Sequence, residues 1–308
     1  MLYDLIIIGA GPAGMTAAIY AARKKINFII LSLDIGGQMS LSPEVDNYPG
    51  IPNVTGIQIV SKFNEHLKEY GIKIKNEEVL NISKVKNIIK VKTRNNTYEC
   101  KTLIIASGKR PKKLNVEGED EFLGRGVSYC ATCDAPLTKG QKAAIIGSGN
   151  SGLDAALHLT KYATKVYIME KMEKMGGDPI LREKVEKDKK IQFIGGATIK
   201  KIQGNEIVNK ITYEKEGKEN TLDVTRIFIE IGLIAKVDFA DIVKKNKWGE
   251  IMISRSTKTN EENLTNIPGI FAAGDATDIP AKQIVIAAGE GGKAVLAAFD
   301  YLNRFKEK

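Results

Sequence analysis

Two cysteines near the middle of the chain have the spacing of a redox-active dithiol. Cys130 and Cys133 are separated by two residues, and Asp134 follows them directly. A Cys-x-x-Cys arrangement lowers the free-energy cost of forming a thiolate at one sulfur, and the thiolate is the species that attacks a disulfide. Asp134 is a candidate proton donor to a leaving thiolate, with a turn-forming role as the alternative. We therefore predict thiol–disulfide exchange, with Cys130, Cys133 and Asp134 as the catalytic residues.

A zinc site is the alternative use of such a cysteine pair. Structural zinc normally has four protein ligands, and the only other cysteine and histidine residues are Cys100, His66 and His158. All three fall within predicted helices or strands, and neither histidine has the spacing of a ligand. We predict no metal site and interpret Cys100 as an inert buried thiol.

The dithiol lies between two glycine-rich loops of the same spacing. Each loop follows a predicted buried strand and opens a predicted helix, which is the context in which such a loop binds a dinucleotide. The first glycine permits a tight turn, the second lets the backbone approach a pyrophosphate, and the third allows close packing of helix on strand. A tight turn without a ligand is the alternative. The glycines are Gly9, Gly11 and Gly14 in the first loop and Gly147, Gly149 and Gly152 in the second.

A glutamate follows the second loop at the distance expected of a ribose-binding carboxylate. Glu170 stands eighteen residues past Gly152, at the end of the next predicted strand. A carboxylate there can accept hydrogen bonds from both ribose hydroxyls of an adenosine and would repel a 2′-phosphate. The alternative is that Glu170 simply begins a solvated loop that runs to Lys174.

The two loops belong to strand–helix–strand units of the same order, about 138 residues apart. Such a repeat predicts an α/β protein with two Rossmann-like, three-layer (ββα) nucleotide-binding domains. A strand over 270–273 and a long terminal helix are expected to complete the first domain, so that the second is inserted into it. We predict segments 1–112 and 237–308 for the first domain and 113–236 for the second, which carries the dithiol.

Composition and charge limit the classes of function. The 308 residues carry a formal net charge of +9, which favours acidic partners; a lysine-rich solvated surface without such a partner is the alternative. Because the lysines are spread along the chain without a basic block or nearby stacking aromatics, nucleic-acid binding is not expected. No apolar run approaches the length of about 18 residues that a membrane span needs, and no secretory signal is recognisable. We expect a cytoplasmic protein with no membrane partner.

Seven motifs make the whole chain resemble the low-molecular-weight thioredoxin reductases. The motifs are GAGPAG from Gly9, GGQ from Gly36, NYPG from Asn47, ASG from Ala106, SYCATCD from Ser128, GSGNSG from Gly147 and GIFAAGD from Gly269. The resemblance implies FAD in the discontinuous first domain and a pyridine nucleotide in the inserted one. It also implies a homodimer, and thioredoxin or a thioredoxin-like redoxin as the partner.

The resemblance further implies roles for individual residues. Cys133 would lie next to the flavin, and Cys130 would attack the disulfide of thioredoxin. Asp275 would contact the ribityl chain and Gln283 the isoalloxazine ring. The remaining residues expected to bind FAD lie in the first glycine loop or along the flavin and its chain. They are Gly9, Gly11, Pro12, Ala13, Gly14, Gln38, Asn47, Gly274 and Ile284.

The inserted domain departs from the family pattern. Members that use NADPH carry a His-Arg-Arg-x-x-x-Arg stretch, whose arginines clamp the 2′-phosphate. The corresponding residues here are Glu170, Lys171, Met172 and Gly176. One lysine and one carboxylate do not replace arginines that bind phosphate bidentately. We therefore do not expect NADPH to bind.

Two electron donors remain open. NADH is favoured by the retained second loop and by Glu170, and segments 283–291 and 299–302 resemble the NADH-using flavoprotein of alkyl hydroperoxide reductase systems. That flavoprotein carries an N-terminal redoxin module, so here the redoxin is expected to be a separate protein. Reduced ferredoxin is the second donor, because a subset of the family without the arginines uses it. Ferredoxins are also acidic, which suits a partner of charge +9.

Two other functions fit part of the sequence. One is a flavin oxidoreductase that uses ferredoxin or NAD(P)H, although relatives of that type typically lack the dithiol. The other is a flavoprotein redox sensor, in which the dithiol switches a binding surface. Disulfide reduction is the function that uses both the dithiol and the two loops.

Overall fold

The computed structural model describes residues 1–42, 45, 47–256 and 261–306. The helices are α1 (Pro12–Arg23), α2 (Gly56–Glu69), α3 (Ala131–Asp134), α4 (Asn150–Leu159), α5 (Pro179–Lys187) and α6 (Ile284–Lys306). The strands are β1 (Leu2–Ile8), β2 (Phe28–Ser32), β3 (Ile74–Asn76), β4 (Val79–Val85), β5 (Ile88–Thr93), β6 (Thr97–Ile105), β7 (Lys109–Pro111), β8 (Val127–Ser128), β9 (Lys142–Ile146), β10 (Lys165–Met169), β11 (Ile191–Ile194), β12 (Thr198–Gly204), β13 (Val208–Lys215), β14 (Lys218–Asp223), β15 (Arg226–Ile229), β16 (Leu233–Ala235) and β17 (Ile270–Ala272). Within the described ranges, no helix combines the length and apolar character needed to cross a membrane.

The chain divides into two compact units. The first contains Met1–Arg110 together with Ile234–Lys308, and the second contains Pro111–Leu233. The boundaries predicted after residues 112 and 236 lie two and three residues beyond the observed ones, which follow Arg110 and Leu233. The chain passes from one unit to the other within strands β7 and β16 and not after them.

The first unit is built on a parallel sheet with the strand order β3-β2-β1-β6-β17. Strands β5 and β4 extend from β6 as an antiparallel meander. The last four residues of β1 are apolar and buried, as expected for a central parallel strand that is covered on both faces.

Alternate residues of β1 contribute to two different cores, because successive side chains of a strand point to opposite faces. Leu5 and Ile7 pack in a core with apolar residues of α1 and α6. Ile6 and Ile8 pack in a second core that includes Ile82 of β4. The parallel sheet is therefore the middle layer between helices and the meander.

The second unit repeats this design. Its sheet is parallel, with the order β11-β10-β9-β15-β8. Ile145 of β9 packs in a core with residues of α4 and α5, and Ile146 packs in a core with residues of the antiparallel β12-β13-β14 sheet. Two parallel sheets, each between helices and a meander, confirm the predicted fold class.

Helix α6 approaches α1 very closely in the first unit. A Cβ atom added at Gly291 would lie 2.0 Å from the carbonyl oxygen of Ala13. An added Cβ at Gly289, two residues earlier on the same helix, would meet no atom within 4 Å. Gly291 is therefore needed for the contact, whereas Gly289 is not.

These two glycines provide a matched test of the packing. Gly291→Ala should lower the free energy of unfolding by roughly 1–3 kcal/mol, the usual cost of overpacking a core. Gly289→Ala should leave it unchanged or raise it by up to about 1 kcal/mol, because alanine is the better helix former. Denaturant unfolding of both variants measures the difference, and equal stabilities would contradict the close α1–α6 contact.

Candidate functional site

The first glycine loop has the geometry that a bound diphosphate requires. An added Cβ at Gly9 would lie 2.3 Å from the carbonyl oxygen of Ala106, and one at Gly14 would lie 1.9 Å from the carbonyl oxygen of Gly9. At Gly11 the nearest atom is the carbonyl oxygen of Gly36, at 3.9 Å. Two glycines therefore hold the turn against the sheet, and the middle one faces open space that a ligand can enter.

Helix α1 presents free donors at this loop. It begins at Pro12, with Gly11 as its N-cap, and no side chain of the described residues caps it. Proline at the first position has no N–H group, whereas the N–H groups of Ala13 and Gly14 have no acceptor within the helix. Together with the positive end of the helix dipole they form an anion site. These residues fit the pyrophosphate of FAD.

The start of α6 brings together two residues that the resemblance assigns to the flavin. The side-chain amide of Asn47 donates a hydrogen bond of 3.2 Å to Oε1 of Gln283. Gln283 directly precedes Ile284, the first residue of α6. Gln38 is half-buried in a 3-10 turn over Gly37–Leu41. The fold thus unites Asn47 and Gln283, which are 236 residues apart in sequence.

Asp275 lies next to the first glycine loop. The preceding Gly274 has a φ of +70°, and a Cβ added there would lie 3.0 Å from the Cβ of Ala13. Burial raises the pKa of the Asp275 carboxyl group, while the ammonium groups of Lys282 and Lys109 oppose that rise. A half-buried carboxyl group with nearby cations is suited to accept a hydrogen bond from a hydroxyl group of a ligand.

The first unit also contains an open cleft that the sequence analysis did not identify. Its volume is about 220 Å³, and it lies beyond the carboxyl end of β2. In a Rossmann-like unit the adenosine of a dinucleotide lies beyond the end of the second strand, so this cleft fits the adenosine half of FAD. The lining residues are Leu33, Asn76, Glu77, Glu78, Arg94 and Asn95.

The second glycine loop repeats the geometry of the first. An added Cβ at Gly147 would lie 2.4 Å from the carbonyl oxygen of Glu230, and one at Gly152 would lie 2.2 Å from the carbonyl oxygen of Gly147. A Cβ at Gly149 would meet no atom within 4 Å. Gly149 is also the N-cap of α4, which no side chain of the described residues caps. This loop therefore fits a diphosphate as well as the first one does.

Glu170 accepts three hydrogen bonds, two of them from the second loop. Both the backbone N–H and the hydroxyl group of Ser148 donate to its Oε2 atom, each at 2.9 Å. The N–H group of Met172 donates to Oε1 at 3.2 Å, and the N–H group of Gly176 donates to the Ser148 hydroxyl at 2.9 Å. Glu170 is therefore a fixed part of the loop and not a solvated side chain.

This hydrogen bonding changes the expected contact with a ribose. A carboxylate offers about four acceptor positions, and three of those on Glu170 are occupied. Room remains for one ribose hydroxyl, whereas the sequence suggested two. The fixed negative charge would also repel a 2′-phosphate at the same place.

A second glutamate near this loop has no counterpart in the sequence-based predictions. Glu230 directly follows β15 and is half-buried. Burial raises the pKa of its carboxyl group, and a hydrogen bond from Ser151 opposes that rise. In the sequence, Glu230 is recognisable only as a charged residue at the end of an apolar strand. That position indicates a place beside the loop only when the order of the strands in the sheet is known.

Cys130 and Cys133 form a disulfide, with their Cα atoms 5.4 Å apart. Cys130 is the N-cap of α3, and the N–H group of Cys133 donates to its sulfur at 3.1 Å. The N–H group of Asp134 donates to the carbonyl oxygen of Cys130 at 3.2 Å. The backbone N–H of Cys130 in turn donates to the Ser128 hydroxyl at 3.0 Å. The dithiol is thus held by backbone hydrogen bonds.

The two sulfurs have different surroundings. Cys133 is exposed and Cys130 is half-buried, but only Cys130 accepts a backbone N–H group among the described residues. The remaining cysteine, Cys100, is fully buried, and burial raises its pKa to about 12. Cys100 is therefore an inert thiol at neutral pH.

Comparison with known proteins identifies the family. The pyridine nucleotide-disulphide oxidoreductase family matches residues 3–292. The chain belongs to this family. A thioredoxin reductase of Listeria monocytogenes is 36% identical over 313 residues, which cover 99% of this chain and 96% of that protein. The crystal structure of thioredoxin reductase from Lactococcus lactis has a TM-score of 0.87 at 34% identity and covers 98% of this chain and 99% of that one.

Other relatives are longer than this chain. A protein of Bacillus subtilis named NADH dehydrogenase is 34% identical over 306 residues, which are 98% of this chain but 59% of that protein. An alkyl hydroperoxide reductase protein of Staphylococcus epidermidis is 36% identical over 307 residues and is covered to the same extent. The chain thus spans 59% of the length of these two relatives.

Substitutions at two glycines of the first loop test FAD binding and stability independently. Gly11→Ala should fold with normal stability, because its Cβ enters open space, but should bind FAD at least about tenfold more weakly, because that space is where the diphosphate would lie. Gly14→Ala should unfold at lower denaturant concentration, because its Cβ meets the Gly9 carbonyl group. Flavin retention after gel filtration and unfolding of the apoprotein measure the two effects. Normal FAD affinity in Gly11→Ala would contradict this interpretation.

Proposed function

We propose that this protein is an FAD-dependent reductase that reduces the disulfide of thioredoxin, or of a similar small redoxin, through Cys130 and Cys133. The observation that carries the proposal is the Cys130–Cys133 disulfide in a chain whose two units each have a loop shaped for a diphosphate. The relatives named thioredoxin reductase, which match almost the entire chain, support it.

FAD, when bound, supplies the two electrons that reduce the disulfide. With two protons, the reduction yields the thiol groups of Cys130 and Cys133. The Cys130 thiolate then attacks one sulfur of the redoxin disulfide, so that a mixed disulfide forms and the other redoxin sulfur leaves as a thiolate. Asp134 donates the proton that this thiolate takes up.

The Cys133 thiolate completes the cycle. It attacks the sulfur of Cys130, which breaks the mixed disulfide, releases the second redoxin thiolate and restores the Cys130–Cys133 disulfide. The redoxin has then gained two electrons and two protons. The hydrogen bond from the Cys133 N–H group distinguishes the Cys130 sulfur from that of Cys133, and the resemblance to thioredoxin reductases gives Cys130 the attacking role.

NADH is the proposed electron donor. Glu170 holds a negative charge where NADPH would carry its 2′-phosphate, and its three hydrogen bonds keep it there. The residue at the position of the last arginine is Gly176, whose N–H group donates to Ser148. The match to a Bacillus subtilis protein named NADH dehydrogenase also supports this donor.

Reduced ferredoxin is the second candidate donor. The structure of a ferredoxin-flavin thioredoxin reductase from Clostridium acetobutylicum has 30% identity and a TM-score of 0.54, and a net charge of +9 suits an acidic partner. The second loop favours NADH, because its glycines keep the geometry of a diphosphate site that a ferredoxin-dependent enzyme would not use.

Replacement of single cysteines tests the disulfide exchange. Cys133→Ser should accumulate a mixed disulfide between Cys130 and oxidised thioredoxin, because the resolving thiol is missing. Cys130→Ser is the matched control and should accumulate none. Non-reducing electrophoresis detects the adduct, and both variants should lose multiple-turnover reduction of thioredoxin. Normal turnover by Cys133→Ser would contradict the proposal and would leave a redox sensor or a flavin oxidoreductase as the alternative.

A further inference from the structure

Three neighbouring strands of the second unit end in register at the second glycine loop. Ile146 of β9 pairs with Met169 of β10 on one side and with Ile229 of β15 on the other. Gly147, the first glycine of the loop, therefore directly follows β9. Glu170 directly follows β10, and Glu230 directly follows β15. The two carboxyl groups belong to strands on opposite sides of the loop.

The order of these strands determines which part of a dinucleotide each glutamate can reach. From β9 the chain continues through β10 and β11 on one side of the sheet and later crosses to β15 on the other side, so the strand order reverses between β9 and β15. A dinucleotide binds across the carboxyl ends of the strands at such a point, with its pyrophosphate at the glycine loop. If the adenosine lies beside Glu170, the nicotinamide riboside half must lie on the side of β15.

Glu230 is close to the loop on that side. Its N–H group donates to the carbonyl oxygen of Ile146 at 2.8 Å, and its own carbonyl oxygen would lie 2.4 Å from a Cβ at Gly147. Two strand spacings separate it from Glu170, or roughly 10 Å. This is the scale on which the two halves of a dinucleotide extend from a central diphosphate.

We propose that the carboxyl group of Glu230 accepts a hydrogen bond from the nicotinamide riboside half of NADH, through a ribose hydroxyl or the carboxamide N–H₂ group. The inference rests on the proposed use of a pyridine nucleotide. It assigns a residue to the half of the dinucleotide that Glu170 does not contact.

The surroundings of Glu230 support this role. The carboxyl group is half-buried, and its pKa is raised by burial and lowered only by the Ser151 hydroxyl, with no contribution from a charged neighbour among the described residues. A half-buried carboxyl group without an ionic partner is costly in the absence of a ligand. One donor leaves most of its acceptor positions available, and the nicotinamide riboside half carries suitable O–H and N–H donors.

Two ligands and three variants test the proposal. NADH and ADP, which has both phosphates but lacks the nicotinamide riboside, are titrated calorimetrically into full-length, FAD-loaded protein whose flavin has been reduced beforehand to prevent turnover. Glu230→Ala should bind NADH about five- to tenfold more weakly, the effect of one lost hydrogen bond, and should bind ADP as the wild type does. Glu230→Gln, which keeps an acceptor oxygen, should restore NADH binding. Glu170→Ala is the control and should weaken both ligands alike.

The outcomes separate this role from the proposed function. If Glu230→Ala weakened both ligands equally, or neither, the role of Glu230 would be overturned while NADH binding stood. If the wild-type protein bound neither ligand, the use of NADH itself would be wrong. Should Glu230→Ala unfold, Glu230→Gln and Glu230→Leu provide the same comparison with a side chain of similar size.

Discussion

In both glycine loops the third glycine lies directly against the carbonyl group of the first glycine, and the arrangement of each unit depends on this close contact. The added Cβ atoms would lie 1.9 Å from that oxygen at Gly14 and 2.2 Å at Gly152. Because no side chain fits between helix and turn, each helix begins directly over the end of a central strand. Its free N–H groups then face the middle glycine, where a diphosphate has room. The residues that we propose to contact a ligand follow from this arrangement, since they stand at the ends of neighbouring strands.

In the second unit, hydrogen bonds around Ser148 add a carboxylate to the shared loop geometry. Ser148, between the first two glycines, donates two hydrogen bonds to Glu170 and receives one from Gly176. A single serine therefore links the loop, the carboxylate and the segment that would carry the phosphate-binding arginines of NADPH-dependent relatives. Under the proposed use of NADH, a preference against a 2′-phosphate would arise from a fixed negative charge as well as from missing positive ones.

Local sequence patterns predicted those features of the site that are determined by residues close together in the chain. The glycine spacing identified both loops, and the offset of Glu170 identified its position, because a turn and the following strand are set by short stretches of chain. Helix α2 begins at Gly56 because Thr55 and Gln58 form a reciprocal cap, which is also set by residues close together in the sequence. Glu230 was missed because its place beside the loop follows from the pairing of β15 with β9, which no local pattern encodes.

We propose that electrons enter at the second loop from NADH and leave through Cys130 and Cys133. Anaerobic stopped-flow spectroscopy of the bound flavin, mixed in parallel with NADH, NADPH and reduced ferredoxin, tests it most directly. We expect fast bleaching of the flavin by NADH, much slower bleaching by NADPH because of the charge on Glu170, and no rapid reduction by ferredoxin. Fast bleaching by NADPH, or by ferredoxin alone, would contradict it.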